Sequence, residues 1–195
     1  MKEYYDRRAP EYDHWYEGQT YDEPERASFL AERAVLEQVV AGLCPAHTVD
    51  VACGTGFLTR HLHGEIVGLD QSEAMLDIAR RQAPNAARYV AGDALALPFE
   101  DNSFERVFTG HFYGHLEANE RGAFLAEARR VAPELVVVDA ARRPNHEPEE
   151  WQERVISDGT RWPVFKRFFT PGQLIEELGG GEPVFAGEWF VVVSS

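Results

Sequence analysis

The chain has 195 residues, 44% of them hydrophobic, which is enough for one globular domain with a full core. Acids outnumber Lys and Arg by 33 to 19, and a formal net charge of −14 repels a phosphate backbone, so nucleic acid is not an expected partner. Two cysteines supply no disulfide framework, and no apolar run approaches the ~18 residues of a membrane span, so the expectation is a cytoplasmic protein with no membrane contact.

In chain order, residues 4–21 are rich in aromatics and acids, as in an amphipathic segment packed on a sheet edge. Asp22 and Glu25 resemble a capping box, and the helix they open carries Leu30, Ala34, Val35, Val39 and Leu43 on one face before Gly42 and Pro45 end it. An apolar strand at Val49 and Val51 runs into Ala52-Cys53-Gly54-Thr55-Gly56, followed by a short helix. A second strand (Ile66, Val67, Leu69) ends on Asp70, and Ser72 caps a helix that Pro84 stops. A third strand (Tyr89, Val90) ends at Gly92-Asp93-Ala94. Leu97-Pro98-Phe99 turns toward a fourth strand over 106–109. A helix over 120–131 places Phe124, Leu125, Ala128 and Val131 on one stripe and leads to an apolar strand over 135–138, ending at Asp139. Residues 142–150 read as a polar loop, and a helix over Pro171–Leu178 stops at three glycines. Two short strands, 183–186 and 189–193, close the chain. Strands that end in polar or glycine-rich loops, with helices between them, describe an open doubly wound α/β sheet.

The strand ends carry the chemistry. Glycines at 54 and 56 let the backbone approach a ligand, and an acid such as Asp70 after the second strand can take both hydroxyls of a ribose. The dinucleotide fingerprint wants a small residue where Thr59 stands, and Asp70 follows Gly56 by 14 residues rather than about 20. Asp50, the glycine turn, Asp70 and Gly92-Asp93, in that order, resemble the class I S-adenosylmethionine-dependent methyltransferases from about Tyr4 to about Asp139. The N-terminal segment and Leu97-Pro98-Phe99 are similar to the branch containing the ubiquinone- and menaquinone-biosynthesis enzymes.

The resemblance implies a Rossmann-like, doubly wound, mostly parallel seven-stranded sheet with a C-terminal antiparallel hairpin, which the dinucleotide fold lacks. It implies one methyltransferase domain over 1–195, with 1–22 as a flap over the cofactor and 142–170 as a substrate-side insertion. The cofactor would be S-adenosylmethionine, leaving S-adenosylhomocysteine as product. Asp50 and the turn Ala52, Cys53, Gly54, Thr55 and Gly56 would hold its methionine half, with Tyr5 or Tyr12 of the flap nearby. Asp70 would bind the ribose, with Gln71 and Met75 lining ribose and adenine. Gly92, Asp93 and the Ala94 amide would serve the adenine, and the backbone of Thr109 and Gly110 would face the methionine end.

A methyl group would then pass to a small-molecule acceptor. The strand-four box of the nucleic-acid amine methyltransferases is not matched by Thr109-Gly110-His111-Phe112. A base is needed only for an acceptor that loses a proton, and His111, Tyr113 and His115 are the candidates there, with His115 the first choice and His14 a weaker one. No metal-ligand spacing occurs, and no metal is expected. Residues 151–169 mix aromatics with Arg154, Arg161, Lys166 and Arg167 against Glu153 and Asp158, which suits either a clamp on an anionic small molecule or surface ion pairs above an aromatic edge. Two alternatives stay open: a non-catalytic module that binds S-adenosylmethionine or S-adenosylhomocysteine and regulates a partner, and a nicotinamide-dependent oxidoreductase. The oligomeric expectation is a monomer or homodimer.

Overall fold

The computed structural model describes residues 1–144 and 146–195; Asn145, within the expected 142–150 loop, lies outside the described residues. Among the described residues the strands are β1 (Thr48–Val51), β2 (Ile66–Asp70), β3 (Arg88–Ala91), β4 (Arg106–Gly110), β5 (Glu134–Ala140), β6 (Glu149–Val155), β7 (Arg161–Arg167), β8 (Glu182–Ala186) and β9 (Phe190–Ser194). Seven of them form one sheet in the order β3-β2-β1-β4-β5-β9-β8, and β6 pairs with β7 apart from it. The first five are parallel, while β9 runs antiparallel to β5 and β8 antiparallel to β9, so the expected sheet and its terminal hairpin are both present.

The continuous apolar run of β5 has a simple cause: both faces of the sheet are covered. Leu135 and Val137 pack with Phe124, Ala128 and Val131 of helix α4 (Ala118–Val131) and Leu174 and Leu178 of α5 (Pro171–Leu178). Val136 and Val138 point the other way, toward Phe108, Val192 and helix α2 (Glu25–Ala41). The period of two along each strand thereby sorts the core into two layers.

Local chemistry explains most helix boundaries. The Ser72 hydroxyl accepts the Met75 amide at 3.2 Å and caps α3 (Glu73–Gln82), which stops before Pro84 as expected. Helix α4 starts two residues earlier than the apolar stripe suggested, because Glu117 and Glu120 form a reciprocal capping box. Thr170 and Gln173 do the same for α5, and Gly179 ends it in a left-handed conformation.

Other expectations are corrected. Helix α2 begins at Glu25 with no side-chain cap from Asp22, and it buries Phe29, Leu36 and Val40 rather than Ala34 and Val35, the latter 42% exposed. The Phe29 ring meets Trp15, Trp189 and Phe190, and this aromatic cluster selects the buried face. The helix expected after Gly56 is a single 3-10 turn, Thr59–His61, and the Thr59 hydroxyl donates to the Asp50 carboxylate at 2.6 Å. Residues 149 and 150 belong to β6 rather than to the expected loop, and the last strand starts at Phe190 instead of Trp189.

The largest addition is the β6–β7 hairpin, turned at Ser157-Asp158-Gly159-Thr160. There Asp158 accepts the Thr160 amide at 2.8 Å, and Gly159 takes φ +81°. Asp158-Gly159 is the sequence signal that announces it. Charged residues on both faces hide the strand pattern, because one face of this hairpin lines a cavity with Gln152, Arg154 and Lys166 while the other pairs its charges at the surface. An N-terminal helix α1 (Lys2–Arg8) and a 3-10 turn (Ala9–His14) lie over the strand ends. No helix of the described residues is long and apolar enough to cross a membrane.

Candidate functional site

A cleft of about 300 Å³ opens at the carboxyl ends of β1, β2, β3 and β4. Its floor is the turn after β1, where Ala52 and Gly54 both take left-handed φ values, +59° and +55°. For Ala52 that conformation is sterically costly, about 1–3 kcal/mol. A Cβ on Gly54 would find only the Tyr12 ring within 4 Å, at 3.7 Å, so the backbone there is open to a ligand. Gly56 has a different task. A Cβ there would meet Ala79 and Ala83 at 3.1–3.2 Å, so this glycine lets the turn pack on α3.

Asp70 is the anchor of the cleft. One carboxylate oxygen accepts the Gly54 amide and the other the Ser72 amide, each at 2.9 Å. A carboxylate has about four acceptor positions, so further lone pairs remain for a ligand. Burial pushes this carboxyl up, and the amides of Ser72, Gly54 and Gln71 partly offset the shift. Gln71, Met75, Gly92, Asp93, Ala94 and Gly110 line the same cleft, joined from the N-terminal segment by Tyr5 and Tyr12. Asp93 also accepts the Leu95 amide at 2.9 Å, which fixes the turn after β3. Burial raises both phenols, Tyr12 to about 12, so both stay neutral hydrogen-bonding groups.

The remaining expected cofactor residues are not in this cleft. Asp50, Cys53 and Thr55 border a small adjoining recess of about 10 Å³ under the turn. Asp50 is engaged by Thr59, and burial lifts its carboxyl to about 7. Gly56 and Thr109 line neither space, and the Thr109 hydroxyl donates to the Val51 carbonyl at 2.8 Å, tying β4 to β1.

A second cavity of about 280 Å³ lies beside the first, between the N-terminal segment, the end of β5 and the β6–β7 hairpin. Four cations line it: Arg8, Arg143, Arg154 and Lys166. Arg143 pairs with Glu25 at 3.0 Å and Lys166 with Asp139 at 3.1 Å. Arg8 instead donates to the Tyr4 hydroxyl and Arg154 to the Gln152 amide oxygen; among the described residues neither is paired with a carboxylate. Strand alternation decides which basic residues of the hairpin turn inward. Arg154 and Lys166 do, whereas Arg161 pairs with Glu153 and Arg167 with Glu149 and Glu177 on the other side. The sequence stretch 151–169 thus contains the surface ion pairs expected as one alternative, and it also turns Arg154 and Lys166 toward a cavity. Arg8 and Arg143 come from outside that stretch, and nothing in their sequence context announces them.

The two cavities share three lining residues: Tyr12, His111 and His115. The His115 Nδ1 lies 2.7 Å from the Phe165 carbonyl. A carbonyl only accepts, so Nδ1 carries the proton and Nε2 keeps a lone pair. His111 sits one residue past β4 at φ +56°, with its ring among Trp15, Tyr16 and Phe190. Burial lowers both imidazoles, His111 to about 3, so both are neutral at pH 7. Burial also pushes the neighbouring Asp139 carboxyl up. Lys166, the two histidines and the Ala140 amide outweigh that and hold it below the usual carboxylate range.

The N-terminal segment is tied down on both sides. Asp6 accepts from Ser72, and Asp13 from Thr55, each at 2.6 Å, while Arg7 reaches Asp158 of the hairpin turn at 3.2 Å. Among the described residues no cluster of three or more His, Cys, Asp or Glu could hold a metal ion.

Comparison with known proteins agrees with this geometry. A family described as a methyltransferase domain matches residues 49–134. A malonyl-[acyl-carrier protein] O-methyltransferase of Halorhodospira halophila is 35% identical over 76% of this chain and 52% of its own length. A demethylmenaquinone methyltransferase of Thermotoga maritima is 35% identical over 48% of this chain and 42% of its own. The chain thus spans about half the length of these curated relatives. The solved DhpI-SAM-HEP complex superposes with a TM-score of 0.77 at 27% identity, over 98% of this chain and 94% of that one. With the sheet order, the strand-end cleft and these likenesses together, the chain belongs to the class I S-adenosylmethionine-dependent methyltransferases.

Proposed function

We propose that this chain transfers a methyl group from S-adenosylmethionine to a nucleophilic atom of a small anionic molecule. The observation that carries this reading is the meeting of two cavities of opposite character. One is floored by open backbone and an acid, and the other is ringed by cations in a protein of net charge −14.

Asp70 suits the ribose hydroxyls, since its carboxylate is fixed by two amides and retains free acceptor positions. Asp93 and the Ala94 amide suit an adenine edge, and the open Gly54 backbone suits the methionine end. Bound there, S-adenosylmethionine supplies an already electrophilic methyl, so the main demand on the protein is to hold the acceptor in line with it. Arg8 and Arg154, free of carboxylates, would bind the acceptor's negative charge, with Lys166 and Arg143 completing the basic wall. For an acceptor that must lose a proton, the His115 Nε2 lone pair is available at the shared wall. Residues 1–22 act as the flap, because they contribute Tyr5 and Tyr12 to one cavity and Arg8, Tyr12 and Trp15 to the other. The segment 142–170 would act on the substrate side, a reading supported by the β6–β7 hairpin residues that line the second cavity.

The test is a turnover screen that follows S-adenosylhomocysteine release with small carboxylates, phosphate monoesters and sulfonates beside neutral and cationic analogues of similar size. Anionic acceptors should dominate. Arg154→Gln should raise KM for them about tenfold or more, the value of one charge-assisted hydrogen bond, while S-adenosylhomocysteine affinity holds. Preferred turnover of neutral or cationic acceptors, unaffected by Arg154→Gln, would sink the anionic reading.

A further inference from the structure

His111 occupies an unfavourable position. It is 6% exposed and at a left-handed φ of +56°, and its amide donates to the Val138 carbonyl at 2.8 Å, which locks the backbone in place. Both ring nitrogens are sealed from solvent and have no hydrogen-bond partner among the described residues. The surrounding rings of Trp15, Tyr16 and Phe190 provide edges and faces, with ring centroids 4.8–5.7 Å away. His115, on the same wall, has one nitrogen committed to Phe165. A phenylalanine would fill the same space with no stranded polar atoms, and an asparagine or glycine would suit the backbone better. Local strain combined with unpartnered buried polar atoms marks sites that a ligand completes.

Building on the methyl-transfer reading above, we propose that His111 contacts the acceptor group itself, its unprotonated ring nitrogen taking the hydrogen bond of the acceptor's O–H or N–H. That bond aims the acceptor's free lone pair at the methyl carbon. As the acceptor's lone pair forms the new bond to carbon, the carbon–sulfur pair returns to sulfur and neutralises the sulfonium, and the acceptor's proton passes to an imidazole nitrogen of the shared wall. A neutral imidazole also spares the sulfonium a like charge beside it. His111 and His115 would then flank the acceptor, each with a lone pair available.

A probe that requires no knowledge of the substrate can test this. In sinefungin an amine-bearing carbon replaces the S–CH3 group, which places N–H donors where the methyl would lie. The full chain should bind sinefungin about tenfold or more tightly than S-adenosylhomocysteine in calorimetric titrations, as a hydrogen bond from a charged donor requires. His111→Phe should lose about tenfold in sinefungin affinity, keep its S-adenosylhomocysteine affinity, and melt at the same temperature or higher. His111→Asn, which retains a donor and an acceptor and tolerates left-handed backbone, should recover part of the loss. An unchanged sinefungin preference in folded His111→Phe overturns the proposal. So does an equal loss of both ligands, which would mark a structural residue. Wild-type protein that binds neither ligand would overturn the methyl-transfer reading as well.

Discussion

The cofactor cleft takes most of its walls from short turns at the ends of four neighbouring parallel strands, all between Ala52 and Glu120 apart from Met1, Tyr5 and Tyr12 of the N-terminal segment. The basic cavity draws on residues as distant in sequence as Arg8, Arg143, Lys166 and Trp189. The first is shaped mostly by backbone geometry: a left-handed turn, amide donors and a carboxylate held by amides. In the second, side chains of one charge converge from separate elements, and their placement depends on which face of a hairpin each occupies. A site made of backbone at strand ends is tied to the fold, whereas one made of converging side chains can change ligand while the sheet stays the same.

That contrast can be broken most severely at the buried pair under the basic wall. Lys166→Met leaves Asp139, which is fully buried, without its counter-charge, and should cost about 3–5 kcal/mol of unfolding free energy in urea titrations. Arg161→Gln on the outward face of the same strand, whose partner Glu153 is exposed, should cost no more than about 1 kcal/mol. Equal effects at the two positions would contradict the inward and outward assignment of the hairpin.

A smaller effect should separate the two cavities functionally. On the proposed ribose role, Asp70→Ala would remove charge-assisted bonds of about 1.5–3 kcal/mol each and should weaken S-adenosylhomocysteine binding at least tenfold by calorimetry. Its circular dichroism should match wild type. An unchanged dissociation constant in the folded variant would reduce Asp70 to a brace for the Gly54 turn.

The smallest effect concerns pH. His111 and His115 bind protons more readily unfolded than folded, so the stability they confer is full above about pH 6.5 and is lost as pH falls toward 3. Asp50 acts in the opposite sense between about pH 4 and 7, because its folded carboxyl keeps its proton up to about 7. Asp139 and Lys166 face His111 and set its local field. Replacing His111 by Phe removes one of these protons. Below pH 6 its stability relative to wild type should therefore rise by about 1.4 kcal/mol per pH unit, read from urea titrations at several pH values. A gap that stays constant with pH would mean that His111 is already protonated in the folded state.

Much of the cofactor cleft was legible because its signals are local. A strand, a glycine turn and an acid at the next strand end are consecutive in sequence, and parallel strand order brings them together without further information. Ser72, the glycine stop at Gly179 and the terminal hairpin were legible for the same reason. Gly56 and Thr109, expected beside the cofactor, line neither the cleft nor its adjoining recess. Spacing shows that a residue is in the turn or strand, but not whether it faces the ligand, the neighbouring helix or the next strand. The face of α2 was partly legible: Leu30, Val39 and Leu43 pack against the core, but the stripe is turned away from Ala34 and Val35 because Phe29 is held by Trp15, Trp189 and Phe190.

The sequence by itself determined the sheet, the order of its chemistry-bearing loops, and the nucleoside-binding character of the strand ends. Those follow from hydrophobic periodicity and turn chemistry, which act between residues a few positions apart. Only the tertiary structure decided that Arg8 and Arg154 converge without carboxylate partners, that Arg161 and Arg167 face away, and that His111 and His115 stand in the wall between two cavities. Side-chain direction on the β6–β7 hairpin follows from a register that its own turn sets, but which face meets a cavity depends on the N-terminal segment some 150 residues away in sequence, where Arg7 meets Asp158.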